Sequence, residues 1–194
     1  MKKFCIKTVI NTIALCFLLS ACVPGESQTA KFYTLKSENK DIISEKYKNS
    51  VCVSRVHMPK FMDKTQIISQ SKGKSEIIVS EYNRWVEPLS ILYTHYLIEN
   101  LSTLLPNSPV KISTGADSFN RYVAVDIVKL EFLWNVRGTL EAWYTIKTGN
   151  GQVLECKKFT DSMSMGNRYE DLVKVHSKLL GNLSKTIAKN LVKY

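Results

Sequence analysis

The sequence predicts a single α+β domain, residues 31–194, with two long helices packed on one face of an antiparallel or mixed β-sheet. Three observations predict this fold. Two long segments repeat apolar residues at a spacing of three and four, which is typical of amphipathic helices. Other segments are β-rich and partly alternate apolar with polar residues, as half-buried strands do. The order is strands, helix, strands, helix, which favours two packed layers.

Short strands are predicted in the first part of the domain. The second of them ends at Pro59, because proline cannot donate a ladder hydrogen bond. The last two flank a turn signal around Gly73, so we expect them to form a hairpin. The four candidate strands cover residues 32–35, 50–58, 66–70 and 76–80.

The first long helix is predicted to open at Glu87 and Pro88. Proline suits the first helical position, since its missing N–H would be unpaired there in any case. Pro106 and Asn107 stop the helix, and a brief strand at residues 110–113 follows. The apolar face of the helix carries Leu89, Leu92, Tyr93, Tyr96, Leu97, Leu101 and Leu104.

Three longer strands are predicted to form an antiparallel meander. In residues 121–135 the apolar positions are odd up to Ile127 and even from Val128 onward. Such a change of phase within one strand predicts a β-bulge at this point. The return strand begins near Gly138, and the third strand covers residues 152–159.

A second long helix is predicted for residues 169–192, after a polar loop at residues 160–167. His176 lies inside its apolar stripe, where a histidine is more often a hydrogen-bonded core residue than a ligand. The stripe consists of Leu172, His176, Leu179, Leu180, Leu183, Ile187 and Leu191.

The N-terminus resembles the signal of a bacterial lipoprotein. Three lysines precede a short apolar run, which ends in Leu19-Ser20-Ala21-Cys22. The run is shorter than the roughly 20 residues that a membrane-spanning helix needs, and its layout is that of a cleaved signal. We expect a lipoprotein signal peptide at residues 1–21, and a tether at residues 22–30 that carries diacylglycerol and an N-acyl chain on Cys22. The alternative is an ordinary signal peptide with a chance cysteine.

Charge and cysteine content limit the class of partner. The net charge is +10, and the signal removes three lysines from it, which leaves a moderately basic mature chain. This charge suits anionic lipid or an acidic protein. Nucleic acid is not indicated, because the sequence has no basic cluster with interleaved aromatic residues.

Cys52 and Cys156 are predicted either to form a disulfide or to remain two buried thiols; a reactive thiol is the least favoured alternative.

No catalytic motif is evident. The sequence has no glycine-rich phosphate loop, zinc motif or nucleophile elbow, so we expect neither an enzyme nor a metal or other cofactor. Two segments are candidates for partner contact, with core packing and a solvated face as the respective alternatives. They are the apolar residues Met58, Phe61 and Met62, and the helical row Lys174, Lys178 and Lys185.

Several motifs occur in a characteristic order along the predicted domain. They are Phe32-Tyr33-Thr34-Leu35, Met58-Pro59, Arg84-Trp85-Val86-Glu87-Pro88-Leu89, Tyr122-Val123-Ala124-Val125, Ala142-Trp143 and the helix at residues 169–187. Their order resembles the PqiC/YmbA family, the ABC-type transport auxiliary lipoproteins. The added basic residues and the two cysteines depart from the family pattern.

The resemblance implies a role without catalysis. It implies an outer-membrane lipoprotein on the periplasmic face that docks an MCE-domain periplasmic protein of a lipid transport system, with a homo-oligomer as one arrangement. Val23 after the lipidated cysteine also favours the outer membrane. A structural or regulatory lipoprotein that assists lipopolysaccharide or cell-wall assembly is the alternative function. The motif order also leads us to expect that Trp85 and Leu89 anchor the first helix to the sheet.

Overall fold

The computed structural model describes residues 28–37, 41–73, 75–112 and 118–194. The predicted signal peptide and the lipidation site Cys22 lie outside these residues. Within them the elements follow in the order β1 (Lys31–Tyr33), β2 (Val51–Val53), β3 (Gln66–Gln70), β4 (Ile77–Trp85), α1 (Leu89–Leu104), β5 (Val110–Ile112), β6 (Arg121–Leu133), β7 (Arg137–Thr148), β8 (Val153–Ser164) and α2 (Tyr169–Leu191).

All eight of these strands belong to one curled, mixed sheet. The order β1-β4-β3-β6-β2-β5 describes its main path, and β7 and β8 extend from the other edge of β6. The hairpin β3–β4 and the meander β6–β7–β8 are antiparallel, whereas β2 lies parallel to β5 and β6. The predicted α+β class, hairpin and meander are therefore confirmed.

The predicted β-bulge is confirmed in β6. The register with β7 shifts between Ile127 and Lys129, and Val128 at the bulge is exposed. Before the bulge β6 buries Val123, Val125 and Ile127, whereas beyond it Phe132 is the buried residue. One inserted residue thus lets β6 direct odd-numbered side chains into the core before the bulge and the even-numbered Phe132 into it afterwards.

The third strand of the meander is longer than predicted. β8 continues to Ser164, through residues that the sequence indicated as a polar loop. It stays paired because β7 extends alongside it, with Arg137 opposite Ser164. A hydrogen bond of 2.9 Å between the hydroxyls of Thr139 and Ser162 also joins the two strands. An exposed edge strand can be polar throughout and still form a ladder, so apolar periodicity missed its end.

The second predicted strand is shorter than expected. β2 covers only Val51–Val53, and the chain then touches β6 through a single bridge between His57 and Asp126.

At α1 the structure places Pro88 one position before the helix, as its N-cap. The carboxylate of Asp63 accepts the Ser90 N–H at 2.9 Å and so satisfies one of the first helical donors.

The two helices pack against each other and against the sheet, with α1 beside β2 and β5 and α2 beside β7 and β8. The Tyr96 hydroxyl donates to the Ser177 carbonyl at 3.0 Å and joins the two helices. Trp85 and Leu89 are buried at the junction of β4 and α1, as predicted for residues that hold the helix on the sheet.

Candidate functional site

An apolar pocket opens where the sheet is incomplete. β2 and β3 share one edge of β6, and β3 meets β6 only in the pair Gln70–Leu133 among the described residues. The edge of β6 between Ile127 and Leu133 is therefore left without a neighbouring strand. A cavity of about 180 Å³ occupies this gap and reaches the core.

Aromatic rings from three elements form the floor of the pocket. The His176 ring of α2 stacks on Phe132 of β6 with centroids 3.7 Å apart and an interplanar angle of 9°. Trp85 of β4 meets the same imidazole edge-on at 4.9 Å. Such contacts add to the stabilisation that the buried ring area itself provides.

His176 is a structural residue, as its position in the apolar stripe predicted. The Tyr93 hydroxyl lies 2.6 Å from its Nδ1, so this ring nitrogen has a hydrogen-bond partner. Burial lowers the pKa of His176 from 6.5 to about 3, because the charged imidazolium would lose its hydration. Burial also raises the pKa of Tyr93. The pair is therefore neutral near pH 7.

The mouth of the pocket is partly apolar. Phe61 and Ile77 line it and are 46% and 45% exposed. Lys129 and Glu131 form an ion pair of 3.6 Å on another side. A dry apolar cavity of about 150 Å³ is known to accept benzene, so this pocket has room for one apolar group of that size.

The predicted apolar contact segment is largely part of the core. Met58 and Met62 are buried, and only Phe61 is exposed. The Met62 N–H donates to the Pro59 carbonyl at 2.9 Å and closes a turn in which Met62 is buried while Phe61 is exposed. Met58 and Met62 are corrected to core residues, and Phe61 alone of the three is available to a partner.

The predicted lysine row lies along one stripe of α2. Lys174 is exposed, and Lys178 and Lys185 are half-buried. They line two adjoining shallow grooves beside the end of β8. We call the two grooves together the lysine groove. Lys185 Nζ lies 2.8 Å from a carboxylate oxygen of Asp41 and lowers the pKa of that carboxyl. The two other lysines carry no ion pair among the described residues.

The predicted Cys52–Cys156 disulfide is not present. Cys52 is buried in β2, whereas Cys156 is exposed in β8, and β6 and β7 lie between these strands. Three strand spacings amount to about 14 Å, twice the Cα separation of about 7 Å that a disulfide tolerates. The alternative of two buried thiols holds for Cys52 but not for Cys156.

The start of β4 carries an exposed apolar run that was not predicted from the sequence. Ile77, Ile78 and Val79 were assigned to a hairpin strand without a functional role, yet all three are exposed. The signal was available, because three successive apolar residues beside a turn do not alternate as a half-buried strand should.

The described residues offer neither a metal site nor a membrane span. They contain no group of three or more His, Cys, Asp or Glu side chains placed to hold a metal ion. Neither of their helices combines the length and the apolar character that a membrane crossing requires.

Two solved structures share the fold. A crystal structure of an uncharacterized protein is 19% identical, with a TM-score of 0.70 over 84% of this chain and 99% of that chain. Protein XCC0632 from Xanthomonas campestris, of family DUF330, is 11% identical, with a TM-score of 0.65 over 81% of this chain and 92% of that chain. No curated protein matches the chain.

Family membership rests on the sequence match. The family model described as "ABC-type transport auxiliary lipoprotein component" matches residues 33–188. This range begins at the last residue of β1 and ends in the last turn of α2, so it includes β2 to β8, α1 and most of α2. The chain therefore belongs to the family of ABC-type transport auxiliary lipoprotein components.

Proposed function

We propose that this protein is a non-catalytic subunit of an MCE-type intermembrane lipid transport system. In this proposal it is anchored to the periplasmic face of the outer membrane, docks an MCE-domain periplasmic protein and so helps to maintain the envelope. The match of residues 33–188 to the auxiliary lipoprotein family carries the proposal. An auxiliary component needs an anchor and a docking surface, and the chain offers a candidate for each.

The candidate anchor is Cys22. It follows Leu19-Ser20-Ala21 directly after the apolar run of the signal. A single acyl chain binds a membrane only marginally, whereas two or more hold a protein stably. Diacylglycerol and an N-acyl chain on one cysteine meet this requirement.

Cys22→Ala is expected to block lipidation and to leave the precursor uncut at this site, because the thiol that accepts the lipid is lost. Intact mass and membrane fractionation measure both effects. Cys5→Ala, within the signal, is the matched control and should be processed normally. A mature native chain that starts at another residue and carries no acyl mass would disprove the anchor.

The lysine groove is the candidate docking surface. Lys174 and Lys178 lie one helical turn apart on α2, the first exposed and the second half-buried. Asp171 at the same groove is engaged by Arg168 at 3.0 Å, which lowers the pKa of this carboxyl. The arrangement leaves a positive strip beside β8 that suits an acidic face of a partner.

Lys174→Glu combined with Lys178→Glu is expected to weaken binding to the MCE protein by about tenfold. The loss should fall mainly on the association rate and should shrink at high salt, as for charges at the rim of an interface. Surface-immobilised MCE protein and the purified variants allow both rates to be measured.

Lys48→Glu combined with Lys111→Glu is the control, since it makes the same change in net charge near β2 and β5. Equal association rates for the two double variants would show that the lysine groove is not the docking surface.

A further inference from the structure

The exposed run Ile77, Ile78 and Val79 forms what we call the hairpin patch. These residues are 45%, 38% and 45% exposed. Successive side chains of a strand point to opposite faces, so the run places apolar side chains on both faces of β4, although Ser69 of β3, opposite Ile78, is buried. Contiguous exposed apolar residues of this kind mark an interaction site or an aggregation hazard.

The strand edge beside the hairpin patch is also uncovered. β3 pairs with one side of β4, and β1 covers the other side only from Asn83 to Trp85. Within the described residues, β4 therefore has no outer neighbour between Ile77 and Tyr82. Proteins usually protect such edges with charge, proline or a covering segment. Here the first three exposed positions carry isoleucine and valine, and charge enters only at Glu81.

The N-terminal end of β1 faces the hairpin patch. β1 runs parallel to β4 with Lys31 opposite Asn83, so the chain enters β1 from the Ile77 end of β4. The nine residues from Cys22 to Lys31 span at most about 30 Å. The distance along the strand from Asn83 to Ile77 is about 20 Å. The lipid-bearing cysteine can thus lie in the membrane directly beside the hairpin patch.

We propose that the hairpin patch is a second membrane contact, which rests in the headgroup region of the bilayer that holds the acyl chains. The inference rests on the Cys22 anchor proposed above. The tether favours a bilayer as the occupant, because acyl chains on Cys22 would lie within reach of this edge of β4. The turn carries Lys72 and Lys74 against Glu76, a net charge of only +1, so apolar side chains rather than charge supply most of the contact.

The depth of the contact follows from the uncovered edge. Backbone groups without a partner are not tolerated in hydrocarbon, but at the headgroup level they still bind water. Interfacial elements bury their apolar side chains about 5–10 Å deep. The side chain of Ile78 should therefore reach the upper acyl region while the β4 backbone stays hydrated.

A fluorescent label at position 78 tests the contact on the mature lipidated protein. Ile78→Cys is made in a Cys156→Ser background, where Cys52 is buried and Cys22 carries the lipid, and the new thiol is labelled with an environment-sensitive dye. Vesicles contain phosphatidylethanolamine and phosphatidylglycerol. Val153→Cys is the control, because Val153 is 53% exposed and lies at the far end of the long strands.

On vesicles the label at position 78 should be shielded from aqueous iodide and quenched by nitroxides attached high on the acyl chains, while the label at position 153 stays open to iodide. Ile78→Asp should lower vesicle binding of the unlipidated Cys22→Ser chain by about tenfold or more. Equal iodide quenching at both positions would overturn the proposal. Shielding that appears only after a protein partner is added would also overturn it.

A second attachment separates this test from the anchor itself. The Cys22→Ser chain is held on nickel-chelating lipid through an N-terminal histidine tag, and the same quenching is measured. If the native chain carries no acyl mass, the anchor fails but this arm still tests the patch. An exposed label at position 78 in this arm overturns the patch whatever the state of Cys22.

Discussion

Replacing Trp85 with alanine is expected to lower the free energy of unfolding by about 3–5 kcal/mol, the usual cost of truncating a buried aromatic side chain. Trp85 is 2% exposed and packs edge-on against His176 at the floor of the pocket. Its removal would join a new void to the existing cavity, so the surrounding side chains cannot close the gap cheaply. Denaturant unfolding of the mature domain measures the change.

Trp143→Ala is the matched control, since Trp143 on β7 is 45% exposed. Substitutions at such surface positions usually change stability by about 0.5 kcal/mol or less. Equal unfolding midpoints for the two variants would show that Trp85 does not hold β4 and α1 together.

Acidification is expected to destabilise the protein through His176. The pKa of this imidazole is about 3 in the folded chain and 6.5 in the absence of burial. Between these values the unfolded chain binds a proton that the folded chain does not. Above pH 6.5, His176 therefore does not change the free energy of unfolding. As the pH decreases from 6.5, this free energy decreases by up to about 1.4 kcal/mol per pH unit, and the decrease ends near pH 3.

His176→Gln separates the effect of His176 from the titration of Asp and Glu side chains, which also occurs at acidic pH. Glutamine can still face the Tyr93 hydroxyl but does not titrate. The free energy of unfolding of the native protein should fall relative to that of the variant as the pH decreases from 6.5. Parallel pH profiles for the two proteins would contradict a buried, neutral His176.

The sequence was most informative where apolar side chains repeat with a clear period. The stripe from Leu89 to Leu104 predicted α1, and the change of phase at Ile127 and Val128 predicted the bulge of β6. Periodicity carried no information on β8 beyond Phe159, since an edge strand buries little and its polar residues look like a loop. There the ladder with β7 decides the structure.

The pocket could not be predicted from local patterns. It exists because β2 and β3 pair with different parts of one edge of β6, and no local pattern reports such a distant arrangement. Met58 and Met62 were ambiguous for the same reason, since their burial depends on a turn at Pro59 rather than on alternation. Cys52 and Cys156 showed no spacing that reveals the two strands between them.

The most direct test of the proposed function is an unbiased search for partners of the native lipoprotein. Cells that produce it with an affinity tag at the C-terminus are crosslinked, the envelope is solubilised, and the captured proteins are identified by mass spectrometry. We predict that an MCE-domain protein is recovered from the native chain and is depleted with the Lys174→Glu, Lys178→Glu variant. Reproducible recovery of a cell-wall synthase or of lipopolysaccharide machinery, without an MCE protein, would contradict the account.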